Sequence, residues 1–327
     1  MRYLIMKIVV GFMLYGCVAS ANIVENEEVQ SFINEMVSKH GFDGTKLRDV
    51  ISQAKVSGSV LEAIARPAET LPWYKYRPIF LQPDRVRLGV EFMKKQQANL
   101  AKAEKAYGVP REIITAILGV ETRYGRNTGN YRVLDSLVTL AFHYPKRAGF
   151  FRGELEQFLL LTREQGLDPR EVTGSYAGAM GISQFISSSY RNYAVDFDVD
   201  GKTDIWHDPA DAIGSVANYF KMHGWERGGQ IVFRARTEGD RYLQIPEGGQ
   251  QPDIRAGDLA EYGVYPVSSI DPDTMVKVVR LEAKDGDELW LGLQNFYVIT
   301  RYNHSPLYAM AVFQLSREIL NQYKTES

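Results

Sequence analysis

The 327-residue chain holds one cysteine, Cys17. That excludes an internal disulfide framework and any Cys-x-x-Cys metal or redox motif. The five histidines, His40, His143, His207, His223 and His304, show no zinc-ligand spacing. There is no Walker loop and no His-Glu-x-x-His motif. Lys and Arg number 38 against 40 Asp and Glu, a net charge of −2. With no basic excess to neutralise phosphates, nucleic acid is not an expected partner. Internal repeats and low-complexity stretches are absent as well. What remains is a globular composition, 45% hydrophobic and 24% charged. The length suits two domains, or one large catalytic body with an insertion. Aromatic residues are plentiful, with 19 Tyr, 15 Phe and 4 Trp. They line polar grooves as readily as they fill cores.

Residues 1–21 read as an export signal. Arg2 and Lys7 supply the positive region, and Ile8 to Tyr15 is an apolar run too short to span a bilayer. Two cleavage readings compete. Ala19-Ser20-Ala21 would free Asn22, whereas Leu14-Tyr15-Gly16-Cys17 resembles a bacterial lipobox and would place a lipid on Cys17. The bulky Tyr15 counts against the second. Either way the mature protein is exported.

Four further segments follow. Residues 22–110 form a helical N-terminal region, in which Val29, Phe32, Ile33, Met36 and Val37 make one apolar stripe. Helical patterning runs from Glu27 to Ile64 and again from Asp84 to Tyr107, as one long helix ended by Gly108. Between them, among several prolines, Trp73-Tyr74-Lys75-Tyr76-Arg77 reads as an aromatic contact loop. Residues 111–229 form a helical catalytic core, with helices over Leu134–Phe142, Ala148–Gln165 and Asp208–His223. Residues 230–297 alternate like strands, at Ile231–Phe233, Arg241–Ile245, Met275–Leu281 and Glu288–Leu293. Residues 298–327 return to helix and pack on the core. The fold class is mainly α (α+β): a helical body with a small inserted β module.

Glu121 is the first candidate for chemistry. Ile114, Ile117, Leu118 and Glu121 fall at i, i+3, i+4 and i+7, one face of a helix opened by Pro110. That face should be buried. A carboxylate there is either paired off by a nearby arginine, Arg123 or Arg126, or is a working acid whose pKa burial raises.

A second signal is Asp196-Phe197-Asp198-Val199-Asp200-Gly201-Lys202. Acids at loop positions 1, 3 and 5 with Gly at 6 open an EF-hand-like calcium loop, to which Lys202 offers its carbonyl. Position 12 is His207 rather than Glu, but Asp211 would close a longer cage. A solvated acidic turn is the plainer alternative. Between the two signals, Ser175 to Phe185 clusters Gly and Ala where a backbone comes close to something. Within it, Gln184 offers an amide suited to sugar hydroxyls and acetamides.

In order, Glu121-Thr-Arg-Tyr-Gly, Tyr176-Ala-Gly-Ala-Met-Gly-x-x-Gln184-Phe, the Asp loop, Asp211-Ala-Ile-Gly-Ser-Val-Ala-Asn-Tyr219 and Phe296 to Val312 resemble the lytic murein transglycosylase B family. So does Trp73-Tyr-Lys-Tyr76-Arg. The resemblance covers essentially the whole mature chain. It implies a lysozyme-like helical core that cleaves the MurNAc–GlcNAc β-1,4 bond of peptidoglycan strands and leaves 1,6-anhydro-MurNAc ends. Carried over residue by residue, it makes Glu121 the only catalytic carboxylate. Ser175, Gln184, Tyr219, Tyr302, Asn303 and Tyr308 match groove contacts, and Tyr76 and Arg147 flank the cleft. Phe150 stands where relatives often carry tyrosine. Asp196, Asp198, Asp200, Lys202 and Asp211 match ligands of a structural Ca2+, with no organic cofactor. A monomer in the periplasm, soluble or lipid-anchored to the outer membrane, is expected.

Two other functions stay open on sequence. A lysozyme-type hydrolase would need a second carboxylate, for which Asp135 and Glu154 are the nearest acids. A calcium-stabilised peptidoglycan-binding protein would use the same groove without turnover. A calcium sensor is disfavoured because the loop is single.

Overall fold

Side-chain caps open five of the thirteen α-helices in the computed structural model, which describes residues 23–66, 70–246 and 248–326. Residues 1–21, read from the sequence as an export signal, lie outside the described residues together with Cys17 and both expected cleavage sites.

The described residues up to Gln53 form a small helical unit of their own. In it, α1 (Glu27–His40) starts where the Asn26 side chain accepts the Glu28 N–H at 2.8 Å, and stops at Gly41, left-handed with φ 64°. α2 (Gly44–Ser52) is capped by Asp43 in the same way. Val29, Phe32, Ile33 and Met36 are buried as their spacing predicts, while Val37, the fifth member of the stripe, is exposed.

The larger unit begins at Ala54. Its helices are α3 (Gly58–Ile64), α4 (Trp73–Phe80), α5 (Pro83–Lys95), α6 (Gln97–Tyr107), α7 (Arg111–Thr122), α8 (Val133–His143), α9 (Ala148–Glu164), α10 (Ser187–Tyr193), α11 (Pro209–Met222), α12 (Gln294–Tyr302) and α13 (Pro306–Thr325). A two-residue bridge joins β1 (Tyr131–Arg132) to β2 (Thr173–Gly174). α7 lies at the centre: Ile113 to Gly119 are all buried, and α13, α5, α6 and α11 pack around it. α8 and α9 pack against each other beside it. Among the described residues no helix is long and apolar enough to cross a membrane.

Between α11 and α12 lies an antiparallel five-stranded sheet, ordered β4 (Ile254–Arg255), β6 (Met275–Ala283), β7 (Gly286–Gly292), β3 (Val232–Thr237) and β5 (Val264–Pro266). The β6–β7 hairpin pairs Val279 with Trp290 and Ala283 with Gly286. Alternate residues of these strands, including Ala235, Val276, Leu289 and Leu291, join Leu259 and Val264 in a separate apolar core. The helical body with one small sheet is the mainly α architecture expected from the sequence.

Three local expectations were overturned. The 84–107 helix is two helices, because the chain leaves helical geometry at Gln96 (φ −106°, ψ 22°). The break lets α5 pack on α7 and α13 while α6 packs on α11. Trp73 to Arg77 is not a contact loop but the start of α4, with Trp73 and Tyr76 in the core and Pro72 setting the entry. Arg241–Ile245 is a 3₁₀ turn over Arg241–Gln244 rather than a strand. Tyr242 of this turn packs against the sheet's core.

Candidate active site

Glu121 occupies the last turn of α7, half-buried, one turn beyond the fully buried Ile117 and Leu118. The helix ends just after it in a tight reversal. The Tyr124 N–H donates to Leu118 O at 2.9 Å and the Arg123 N–H to Gly119 O at 3.2 Å. Arg123 and Tyr124 both sit in the left-handed region, at φ 50° and 63°. For two successive side-chain-bearing residues this is uncommon and costs about 1 kcal/mol or more each. The surroundings hold the turn in place. The Tyr124 hydroxyl donates to Arg85 O at 2.8 Å, and its ring stacks 5.6 Å from Phe92. That hydroxyl fits because Gly89 and Gly119 have no Cβ: one added at either would lie 2.6 Å from it. Arg123 binds Asp84.

Tyr308, buried on α13, donates its phenol proton to Glu121 Oε1 at 2.5 Å. Burial, and then the Glu121 charge, push the Tyr308 pKa well above the phenol value. The group therefore stays protonated and can only donate to the carboxylate. Tyr76 is also buried and adds to the same shift, so it belongs to the core and presents no surface.

The segment 174–185 folds into a narrow double turn. Ser175 N–H donates to Ala179 O at 2.8 Å, and Met180 and Phe185 exchange backbone bonds of 2.8 and 3.1 Å. Ser175 Oγ accepts the Ala179 N–H at 3.0 Å and the Ala177 N–H at 3.3 Å, which shapes the turn. Gln184 is left-handed (φ 51°), and its Nε2 donates to Thr128 O at 3.0 Å and Gly181 O at 2.9 Å. Both amide protons are thus committed. Of the dual character expected from the sequence, only the carbonyl oxygen is left as an acceptor for a ligand.

Phe185 then meets Tyr219 and Tyr302, at 5.8 and 5.9 Å between ring centres, and those two meet each other at 4.9 Å. Tyr302 donates to Ser183 O and Tyr219 to Arg301 O. Burial pushes both phenols above their usual pKa. Two members of this cluster were not singled out from sequence. Tyr193 packs edge-on to Tyr219 at 5.0 Å, and His223 stacks on it at 4.0 Å. The signal was present for His223, which lies four residues after Tyr219 as the C-cap of α11.

Asn303 is half-buried in the turn between α12 and α13, where its carbonyl accepts the Ser305 N–H at 2.7 Å. Arg147 is exposed, with its guanidinium 4.3 Å from the Phe150 ring centre. Its charge reaches His304 beside Asn303: burial first, then Arg301 and Arg147, lower the His304 pKa. The two other acids weighed from sequence are tied up elsewhere. Asp135 accepts the Lys55 N–H at 3.0 Å and lies 3.5 Å from Arg132. Glu154 is buried, accepting the Ser188 N–H at 3.0 Å and hydroxyl at 2.6 Å.

In the acidic loop, carboxylate oxygens of Asp196, Asp198 and Asp211 all lie within 4.8 Å of one another. Two oxygens bound to one calcium ion at about 2.4 Å can be no further apart than about 4.8 Å, so this trio fits a hard cation. Val199 (φ 68°) and Gly201 (φ 91°) turn the chain around them. Asp196 accepts the N–H groups of Val199 and Gly201 at 2.8 and 2.9 Å. Asp211 is 1% exposed and accepts from Phe197 at 2.6 Å and Asp204 at 2.7 Å. Asp200 stands outside the trio and accepts the Lys202 N–H at 2.9 Å.

The family described as the transglycosylase SLT domain matches residues 25–317. Membrane-bound lytic murein transglycosylase B of Escherichia coli K12 is 45% identical over 308 residues, 91% of this chain and 84% of that protein. Among solved structures, soluble lytic transglycosylase SltB1 of Pseudomonas aeruginosa is 50% identical. It superposes with a TM-score of 0.84, over 90% of this chain and 99% of that one. The Escherichia coli lytic transglycosylase Slt35 in complex with calcium is 45% identical, with a TM-score of 0.85 over 92% and 95%.

Proposed function

The chain belongs to the transglycosylase SLT family, and on that premise we propose that it is a peptidoglycan lytic transglycosylase with Glu121 as its single acid and base. It cleaves the MurNAc–GlcNAc β-1,4 bond and leaves 1,6-anhydro-MurNAc ends. The observation that carries the assignment is the contact of Glu121 with the Tyr308 hydroxyl, with the other candidate acids engaged elsewhere. Residues 111–229 carry the chemistry and 298–327 complete the site from the far end of the chain.

The mechanism needs one carboxyl group in two roles. Protonated Glu121 gives its proton to the glycosidic oxygen as the bond from C1 of MurNAc breaks. Positive charge develops at C1 and is met by the substrate's acetamido oxygen and by oriented groove dipoles. The ionised Glu121, held by the Tyr308 hydroxyl, then takes the proton of the same sugar's C6 hydroxyl as that oxygen closes on C1. The proton returns to Glu121 and no water enters. A hydrolase would need a second carboxylate to activate water. Gln184, left with an acceptor, suits the acetamide N–H, and Ser175, Tyr219, Tyr302, Asn303 and Arg147 line the rest of the groove. Holding the C6 hydroxyl near C1 is a proximity effect.

Asp196, Asp198, Asp200 and Asp211, with the Lys202 carbonyl, would hold Ca2+. Bound there, the ion neutralises mutual repulsion and braces the loop without entering the reaction. The protein works as a monomer outside the cytoplasm, freed at Ala21 or anchored to the outer membrane through Cys17. The test of the function is digestion of purified sacculi. Products one water lighter than those of a muramidase support it, and Glu121→Gln should bind glycan without releasing them. Fully hydrated products, or near wild-type turnover by that variant, would sink it.

A further inference from the structure

Thr122, next to the proposed acid, is 1% exposed and joins three segments through one side chain. Its hydroxyl lies 2.9 Å from Ile182 O and 3.2 Å from Leu118 O, and it accepts the Gly125 N–H at 2.9 Å. A helical threonine ordinarily bonds back to the carbonyl four residues earlier, here Leu118. In this case the shorter contact crosses to a segment 60 residues away. Ile182 lies between Gly181 and Gln184 in the double turn, and its own N–H donates to Ile205 O at 2.8 Å. Gly181 makes that approach feasible, because a Cβ there would sit 2.5 Å from Ile205 O. Ile205 is fully buried in the acidic loop, and its neighbour Asp204 donates its N–H to Asp211. A continuous hydrogen-bonded line therefore runs from Asp211 through residues 204–205 and Ile182 to Thr122.

We propose that Thr122 is a positioning residue, and that its hydroxyl, clamped to Ile182, fixes Glu121 relative to the turn bearing Gln184. The argument rests on the assignment of Glu121 as acid. The physical need is specific. Glu121 sits in the last turn of a helix, with only Thr122 between it and two left-handed residues. A side chain there has no following helical turn to hold its backbone. The Ile182 bond adds a restraint there and ties it to the turn bearing Gln184. A displacement of about 1 Å at a reacting group costs on the order of 100-fold in rate.

The test compares Thr122→Val, which keeps the shape, with Thr122→Ser, which keeps the hydroxyl, alongside Glu121→Gln. Turnover on isolated glycan strands, its pH profile and the melting temperature are measured. We expect Thr122→Val to fold and lose about 10- to 100-fold in kcat with KM within about twofold, and Thr122→Ser to recover most of the loss. A folded Thr122→Val with kcat within about twofold of wild type overturns the proposal, as does a Ser variant as slow as the Val variant. If Thr122→Val does not fold, Thr122→Ala against Thr122→Ser is read the same way. If neither Val nor Ala folds, the hydroxyl is a folding determinant and the proposal fails. An inert Glu121→Gln beside a normal Thr122→Val rejects only the clamp, whereas an active Glu121→Gln rejects the acid assignment itself.

Discussion

The Tyr308 hydroxyl and Glu121 Oε1 lie 2.5 Å apart, joined by a hydrogen bond that spans 187 residues of sequence. A donor of fixed protonation faces the group proposed to change protonation twice in each turnover. Removing it with Tyr308→Phe leaves the ring in the core and takes away only the hydroxyl. A hydrogen bond to a charged group contributes about 1.5–3 kcal/mol, so kcat should fall roughly 10- to 100-fold with the fold intact. Release of anhydro-muropeptides from sacculi measures it, and an undiminished rate would remove Tyr308 from the mechanism.

Chelation should lower the melting temperature. An ion held at about 100 times its Kd stabilises by about 2.7 kcal/mol. Asp198 is exposed, so Asp198→Asn should blunt the response while leaving the metal-free protein as stable as before. Identical melts with EGTA and with added calcium would argue against the site.

His223 gives stability a pH dependence of predictable sign. Burial, chiefly, and then Arg301 depress its pKa below the ordinary 6.5. The unfolded chain therefore binds the proton more readily than the folded one. Stability is fully present above pH 6.5 and declines as pH falls from there toward the folded pKa. Any deficit of His223→Gln at about pH 7.5 should shrink at about pH 5.5. A gap that widens in acid contradicts the assignment.

Arg85 is 7% exposed, and its Nε and Nη1 find no hydrogen-bond partner among the described residues. The guanidinium lies 5.1 Å from the centre of the Phe80 ring. Replacing an uncompensated cation by an apolar chain of similar length is often stabilising. Arg85→Met is expected to raise stability by about 1 kcal/mol, because Tyr124 bonds only the backbone carbonyl of Arg85. A clear loss in thermal unfolding would show that the cation has a favourable role.

Much of the site was legible because short-range pattern encodes faces and turns. The i, i+3, i+4, i+7 spacing marked Glu121 on α7, and Asp196-x-Asp198-x-Asp200-Gly201 marked the loop. What the pattern could not carry was tertiary partnership. Trp73 and Tyr76 look the same in sequence whether they face solvent or α13. The break at Gln96 sets α5 against α13 and α6 against α11, partners that no local pattern names. The amide of Gln184 has both its protons bound by carbonyls that only the folded chain brings near. Thr122 is not marked by any local pattern, since its bond to Ile182 crosses 60 residues.

The bond between Glu121 and Tyr308 also bears on how the molecule is made. Closing contacts over such a separation is entropically costly and slow compared with forming helices. During refolding, helical circular dichroism should therefore recover before catalytic competence does, with the lag ending when α13 docks on α7. A partly collapsed chain would have its helices yet be unable to cut a glycan strand.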